Sequence, residues 1–438
     1  MLTPQFVLAL SAKLVVDLFA GGGGASTGIE QAIGRHVDIA INHSPDAIGM
    51  HEINHPQTQH YCADVFEVDP RAATAGQPVG LLHASPDCTH FSQAKGGQPR
   101  SKEIRSLAWV VIRWAGTVRP DVITLENVEQ MLQWSPLVAK RCPATGRVVT
   151  LDEVTDPATG KTTWRVAAPG EVVPRGNQFL VPSKKHLGRN WNHFVQALRD
   201  LGYAVQWRVI CNADLGAHST RTRLYMIARC DGLPIVWPEQ THAKKPKPGQ
   251  ARHRPAADCI DWSIPGKSIF GRDKPLVEAT MRRIAYGMER FVLKNPQPFI
   301  VKNMAATLVQ YELSQDDEAG AMRCAAFLMR YHGNGGQWSD LREPMTTVTT
   351  RDRLALVTVW LKGEPWVIVD ITLRMLVPRE LYNAQDFPPG YVIDRTAAGK
   401  PLTKTAQVRM AGNSVSPLPM RLIVAANYTE AQAQRLAA

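Results

Sequence analysis

The 438-residue chain has no C-x-x-C pair, and its seven cysteines (62, 88, 142, 211, 230, 259 and 324) form no evenly spaced framework. An odd, scattered set argues against structural zinc and for a reducing compartment, so we expect no metal and a cytoplasmic protein. No apolar run approaches the roughly 18 residues of a membrane span. Phe6–Ala12 faintly resembles a signal peptide, but no Lys or Arg precedes it and cleavage there would free a strand as the new terminus. Charged residues are only 20% of the chain and apolar residues 44%, which excludes extensive disorder. Acidic charge is scarce in one part only. Residues 1–130 hold 9 Lys/Arg against 13 Asp/Glu, and residues 131–438 hold 41 against 26. A polyanion is therefore expected on the later part, unless the excess serves solubility alone.

What the chain does have is a rhythm. Short β runs at Leu14–Phe19, Val37–Ile41, Leu81–Ala84 and Val122–Leu125 alternate with helix-compatible stretches such as Lys102–Val118. That spacing predicts a parallel sheet with crossover helices, whose ligands sit at the carboxyl ends of the strands. Residues 140–190 break the rhythm. Two similar phrases, Pro143–Gly146 and Pro157–Gly160, suggest the turns of an inserted hairpin. The pattern resumes with a helix near Trp191–Leu201 and strands at Val205–Ile210 and Arg223–Ala228, followed by a Pro/Lys-rich linker at 238–255. Leu276–Leu293 reads as an amphipathic helix with Val277, Met281, Ile284, Met288 and Phe291 on one core-facing stripe.

Five segments can carry chemistry. Asp17–Gly28 holds four successive glycines after the first strand but misses G-x-G-x-x-G, which demotes a dinucleotide. Such a loop lets a carboxylate-bearing ligand such as S-adenosylmethionine approach the backbone; a tight structural turn would use glycines too. Cys88, in Ser85–Ser92 directly after a strand, is placed to be a nucleophile, although a lone cysteine is commonly core filler. The Lys95–Arg100 tail behind it could close over a nucleic-acid backbone. Glu126 ends another strand, as a general acid or a helix-capping carboxylate. Arg221 and Arg223, two apart on an extended segment, point the same way and could reach one pocket. Tyr331–Trp338 has the polar, glycine-rich make-up of a loop that enters a groove, or of an ordinary turn.

Taken in order, these segments resemble the cytosine-C5 DNA methyltransferases, most closely the phage and prophage branch. The resemblance rests on Phe19-x-Gly21-x-Gly23, Pro86-Asp87-Cys88, Glu126-Asn127-Val128, Arg221-x-Arg223, Pro378-Arg379-Glu380 with Gln385–Pro388, and Gly412–Pro417, and spans about residues 14–430. It implies an α/β, Rossmann-like S-adenosylmethionine-dependent methyltransferase domain with a mostly parallel sheet, plus a smaller target-recognition domain. The expected divisions are a catalytic domain at 11–230, a recognition region at 231–370 and a return segment at 371–438. By the same resemblance the catalytic residues are Cys88, Glu126, Arg221 and Arg223. S-adenosylmethionine would be held by Phe19, Ala20, Gly21, Gly23, Asn42, Asp64, Pro86, Asn413 and Val415. Asp64 also reads as a loop cap, and Gly412-Asn413 should pack a C-terminal strand and helix on the glycine loop.

Four departures from the family pattern stand out: Asp87 where a second Pro is usual, Thr89 for Gln, Ser219 for Gln, and Asn42 for an acidic residue. Asn42 can still hydrogen-bond a ribose but without charge assistance. The implied reaction is attack of Cys88 on cytosine C6, methyl uptake at C5 and loss of the C5 proton, with Glu126 serving N3. At an ordinary pKa of about 4.3, roughly one Glu in 500 is protonated at pH 7, a deficit of about 3.7 kcal/mol, so the role requires a buried carboxyl. The expected partner is double-stranded DNA with the target base flipped out, which a monomer can do. The alternatives are a tRNA cytosine-C5 methyltransferase and a catalytically silent DNA- or cofactor-binding protein.

Overall fold

Strand β1 (Leu14–Leu18) reads Leu-Val-Val-Asp-Leu and is buried on both faces, as a central parallel strand must be. The computed structural model describes residues 13–87, 107–155, 157, 159–160, 162–301, 323–331, 337–362 and 367–429. Cys88, Thr89, the Lys95–Arg100 tail and most of the Tyr331–Trp338 loop lie outside the described residues.

With β2 (Ile39–Ile41), β3 (Gln59–Tyr61), β4 (Val79–Ala84) and β5 (Val122–Asn127), β1 builds a sheet completed by β10 (Ala204–Cys211) and β11 (Thr222–Arg229). The strand order is β10-β11-β5-β4-β1-β2-β3, and β11 alone runs antiparallel to the rest. The expected mostly parallel α/β sheet is thus present. Alternation splits its residues between two cores. Val16, Leu18, Leu82, Ala84, Ile123 and Leu125 face Trp114, Trp191 and Phe194. On the other face Val15, Leu81, Val122, Tyr225 and Ile227 meet Ala25 and Ile29 of helix α1 (Gly24–Ile33) and Met420, Ile423 and Val424 of the final helix (Pro417–Asn427).

Between β5 and β10 the chain forms the expected hairpin, β7 (Val149–Thr155) against β8 (Thr162–Val166). Around it, β6 (Leu137–Ala139) pairs with β9 (Leu180–Pro182). After two short pairing segments, β12 (His242–Ala243) and β13 (Ala251–Arg252), a second sheet runs β14-β18-β17-β15-β16. Its strands are β14 (Lys267–Ser268), β15 (Arg323–Arg330), β16 (Trp338–Ser339), β17 (Leu354–Lys362) and β18 (Val367–Met375), all antiparallel.

Two expectations need correction. The amphipathic helix forms at Glu278–Met288 and continues as a π turn, Glu289–Leu293; Ile284, Met288 and Phe291 pack against the core as expected, but Val277 is 69% and Met281 37% exposed. The buried face is Thr280, Ile284 and Gly287, joined by Val292 after the turn. Gly287 sets this rotation: a Cβ there would lie 2.3 Å from the Phe327 ring, so the helix seats its glycine on the sheet. The chain's end is also two helices, Lys404–Asn413 and Pro417–Asn427, and not a strand and helix.

The tightest seam is between α1 and the final helix. A Cβ on Gly28 would meet the Pro417 carbonyl oxygen at 2.4 Å and Met420 Cβ at 2.8 Å. Alanine normally improves a helix interior by about 1 kcal/mol over glycine. Here Gly28→Ala is expected to destabilise by about 1–3 kcal/mol in urea unfolding, because overpacking outweighs propensity.

Candidate active site

The carboxyl edge of the sheet carries Phe19, Asn42, Glu126, Arg221 and Arg223 of the residues singled out above, Cys88 being outside the described residues. Glu126 lies within β5, 6% exposed, as a strand residue and not a helix cap. Its Oε1 stands 3.1 Å from Arg223 Nε and 4.0 Å from an Arg221 nitrogen, yet receives no well-aligned hydrogen bond. Both arginines therefore do converge on one group, but their duties differ. Arg221 is buried and donates to the carbonyls of Gly412 at 2.9 Å and Ser414 at 2.8 Å. Arg223 sits closer to the surface, beside the carboxylate.

Next along the edge, Asn127 Nδ2 donates to the Pro86 carbonyl at 2.8 Å, while its Oδ1 accepts from Val128 N–H. That pair fixes the chain two residues before Cys88 relative to the Glu126 strand. In the sequence Asn127 stands out only as part of a motif; its bond to Pro86 spans 41 residues and has no local signal.

Phe19 follows β1 with φ +63°, a left-handed conformation that a non-glycine residue holds only under constraint. Ala20 N–H reaches the Ile41 carbonyl at 3.1 Å, tying the loop to β2. A Cβ on Gly21 would meet only the Phe19 carbonyl oxygen at 3.8 Å, so this side of the loop is open. The next glycines face protein: a Cβ on Gly23 would lie 2.0 Å from the Tyr391 hydroxyl, and one on Gly24 2.1 Å from the Val415 carbonyl oxygen. Close packing by Tyr391 and Val415 thus accounts for two of the four glycines and Met50, 2.9 Å from a Cβ on Gly22, for a third, while Gly21 holds a left-handed φ of +54° with open space beside it.

The remaining expected binding residues are split. Asn42, at the end of β2, accepts from Ser44 N–H through its side chain, shaping the entry to helix α2 (Pro45–Asn54). Asp64 is exposed and its carboxylate accepts Phe66 N–H at 2.9 Å, the geometry of a loop cap. Asn413 is exposed at the end of its helix, and buried Val415 closes over Gly24. Pro378 and Glu380 open the return helix, where Glu380 is fully buried and receives Arg374, Asp261 N–H and Val377 N–H.

Under the glycine loop lies a buried polar chain that the sequence does not announce. Ser26 Oγ donates to Asp17 Oδ2 at 2.7 Å; His51 Nε2 lies 2.8 Å from that hydroxyl, and His51 Nδ1 2.8 Å from His60 Nε2. Because the Ser26 hydroxyl is donated to Asp17, His51 must donate to Ser26 and accept from His60. His55 lies between Glu30 at 2.9 Å and Tyr391 at 3.1 Å, and Tyr391 donates to the Gly22 carbonyl. Burial pushes the Asp17 carboxyl up to about 7 and holds His51 well below the usual imidazole range.

Residues 14–136 and 179–427 match the family described as C-5 cytosine-specific DNA methylase. The type II methyltransferase M1.HphI of Haemophilus parahaemolyticus is 22% identical over 429 residues, 96% of this chain and 88% of that protein. M.AquIA of Picosynechococcus is 22% identical over 235 residues, 52% of this chain and 77% of that protein. Among solved structures, a DNA modification methyltransferase encoded within an Escherichia coli prophage superposes with a TM-score of 0.51 at 17% identity, covering 94% of this chain and 98% of that one.

Two outcomes are expected. Arg221→Ala should lower unfolding free energy by about 3–5 kcal/mol, since a buried carboxylate and two carbonyls lose their cation, whereas Arg223→Ala, at the rim, should cost clearly less in the same denaturation series. Asp17 has a folded pKa above its unfolded value of 3.8, so wild type loses stability as pH rises from about 3.8 to about 7 and no further above that. Asp17→Asn removes this component. Its stability relative to wild type should climb across that window, by up to about 1.4 kcal/mol per pH unit, and level off above it. A pH-independent difference in urea titrations would refute the assignment.

Proposed function

The chain belongs to the C-5 cytosine-specific DNA methylase family, and on that premise we propose that it methylates C5 of a flipped-out cytosine in duplex DNA. The observation that carries this reading is the Glu126 carboxyl: buried, flanked by Arg223, with one oxygen lacking an aligned hydrogen bond. An unsatisfied buried acceptor costs about 1–3 kcal/mol, which a bound ring edge would recover. A cytosine presents N3 and its exocyclic amine on one edge, matching a carboxyl beside a guanidinium.

Cys88, two residues beyond the fixed Pro86, is assigned the nucleophile. Its thiolate sulfur bonds to C6, which pushes electrons toward C5; Glu126 serves N3 during this addition, and Arg223 balances the local charge. S-adenosylmethionine, when bound, supplies the electrophilic methyl group. Open Gly21, left-handed Phe19 and the carboxyl ends of β2 and β3 with Asn42 and Asp64 fit a nucleoside with a carboxylate-bearing tail. The C5 proton is then lost to a solvent base, its bonding pair re-forms the C5–C6 double bond, and the Cys88 sulfur leaves C6 as thiolate, restoring the ring. Extrusion of the base, a few kcal/mol, is offset by phosphate contacts from the basic later part of the chain, with residues 231–370 assigned to reading the sequence.

Nucleoside mass spectrometry tests the proposal. Unmethylated duplex DNA incubated with wild type and S-adenosylmethionine should gain 5-methylcytosine, tRNA should not, and Cys88→Ala should give none. Glu126→Gln, which lacks the acidic proton, should be slower by about 10²–10⁴-fold. Methylation of tRNA alone, or a wild-type rate for Glu126→Gln, would overturn it.

A further inference from the structure

The family match is interrupted between residues 136 and 179, so this chain carries a segment there that the family pattern does not include. The segment is ordered by its own contacts. β6 and β9 close its base, with Ser183 N–H on the Pro136 carbonyl, and Phe179 N–H and Lys140 N–H join the ladder through Val149 and Phe179. Asp152 and Glu171 both grip Arg165, at 2.8 Å each, and Asn177 also donates to Asp152. The base rests on Trp134, whose carbonyl receives Asn190 N–H and whose ring lies 5.4 Å from that of Trp109. Trp109 opens the first helix after Cys88 among the described residues, and Trp134 follows Glu126 by eight residues. The segment is therefore rooted at the catalytic edge of the sheet.

Its charge is one-sided. Residues 137–189 hold nine Lys/Arg against four Asp/Glu, and two of those acids are committed to Arg165. Arg141 and Arg147 flank the Cys142–Gly146 turn, and Arg175 opens the short Arg175–Asn177 turn before β9. Lys184 and Lys185 stand exposed at the root, and Lys140 covers the Phe179 ring. None of these six has a carboxylate within 4 Å among the described residues. Arg141 donates to the Gly146 carbonyl, but a core function would not require six cations without a carboxylate partner on one short segment. A phosphate backbone running past the active site would.

We infer that residues 137–189 form an arm that grips the sugar-phosphate backbone of duplex DNA flanking the target cytosine. The inference rests on the proposed DNA substrate. The arm reads no base; it adds electrostatic contacts on one flank, lengthening the footprint and helping to offset base extrusion.

The test compares wild type with a variant combining Arg141→Ala, Arg147→Ala, Arg175→Ala, Lys184→Ala and Lys185→Ala, on one long duplex that wild type methylates. Every phosphate no longer neutralised lowers the slope of log affinity against log salt by about 0.9, so the slope should shrink by roughly 2–4. Affinity near 0.1 M salt should fall tenfold or more, and the hydroxyl-radical footprint should shorten on one side only. A companion variant with the three arginines changed to lysine keeps the charge and should keep the slope, which separates charge from folding. An unchanged slope, or weaker binding with an unchanged footprint, overturns the arm. Absence of both binding and 5-methylcytosine with wild type would instead refute the DNA substrate.

Discussion

The structure depends on one buried cation. Arg221, 2% exposed, holds the carbonyls of Gly412 and Ser414 and stands 4.0 Å from Glu126. A buried guanidinium needs acceptors, and two of them here are the carbonyls of a turn almost two hundred residues later. That turn does more than receive hydrogen bonds. Gly412 lies against the Thr349–Thr350 backbone, Ser414 and Val415 close over Gly24, and the final helix starts three residues on. The candidate catalytic carboxylate, the glycine loop and the second sheet's connection thus share a single electrostatic anchor.

Around the anchor, the sheet face under α1 changes character along its strands. Near the amino ends it is aliphatic, with Val15, Leu81 and Val122. One step further Asp17, His83 and Thr124 stand side by side in register, with His83 2.9 Å from the Thr124 hydroxyl. Beyond β5, Tyr225 reaches Asn212, Asn212 reaches Ser416, and Ser416 reaches Gln385, in hydrogen bonds of 2.6–3.1 Å. Asp17 Oδ1 and His83 Nε2 have no hydrogen-bond partner among the described residues, but the bonds that are made join different strands and elements, so a slip in strand register would break several at once. The polar layer specifies one alignment where aliphatic packing alone would allow others.

The features legible in the sequence are those with local causes. Strands betray themselves by continuous apolar runs, and the Arg221–Arg223 spacing brings both cations, at the start of β11, to Glu126. The Pro-Ala-Thr-Gly repeats mark the region of a real hairpin. The features hidden from it are set by partners far along the chain. Glycines 23 and 24 are small because Tyr391 and Val415 press on them. The helix after residue 277 keeps Ile284, Met288 and Phe291 on the core but leaves Val277 and Met281 exposed, with Gly287 seated on Phe327. The histidine chain at His51, His55 and His60 draws its remaining partners from other elements, and no local pattern distinguishes it from scattered surface histidines. Asp64 is the converse: a local Asx-type cap explains its present hydrogen bond without any ligand.

The seam between α1 and the final helix has a kinetic side. Ile29, on the first helix, has its apolar partners Met420, Ile423 and Val424 at the other end of the chain, and Tyr391 meets Gly22 across 369 residues. Pairings of such sequence separation form late, after the loop-closure entropy of the whole intervening chain has been overcome. During synthesis the amino-terminal strands emerge first and wait with one sheet face uncovered, a surface that invites aggregation until the last helix arrives. A chain truncated by even the final thirty or so residues would lose that cover together with the closure of its glycine loop. A nascent fragment containing every candidate catalytic side chain would therefore still lack the packing that closes its glycine loop.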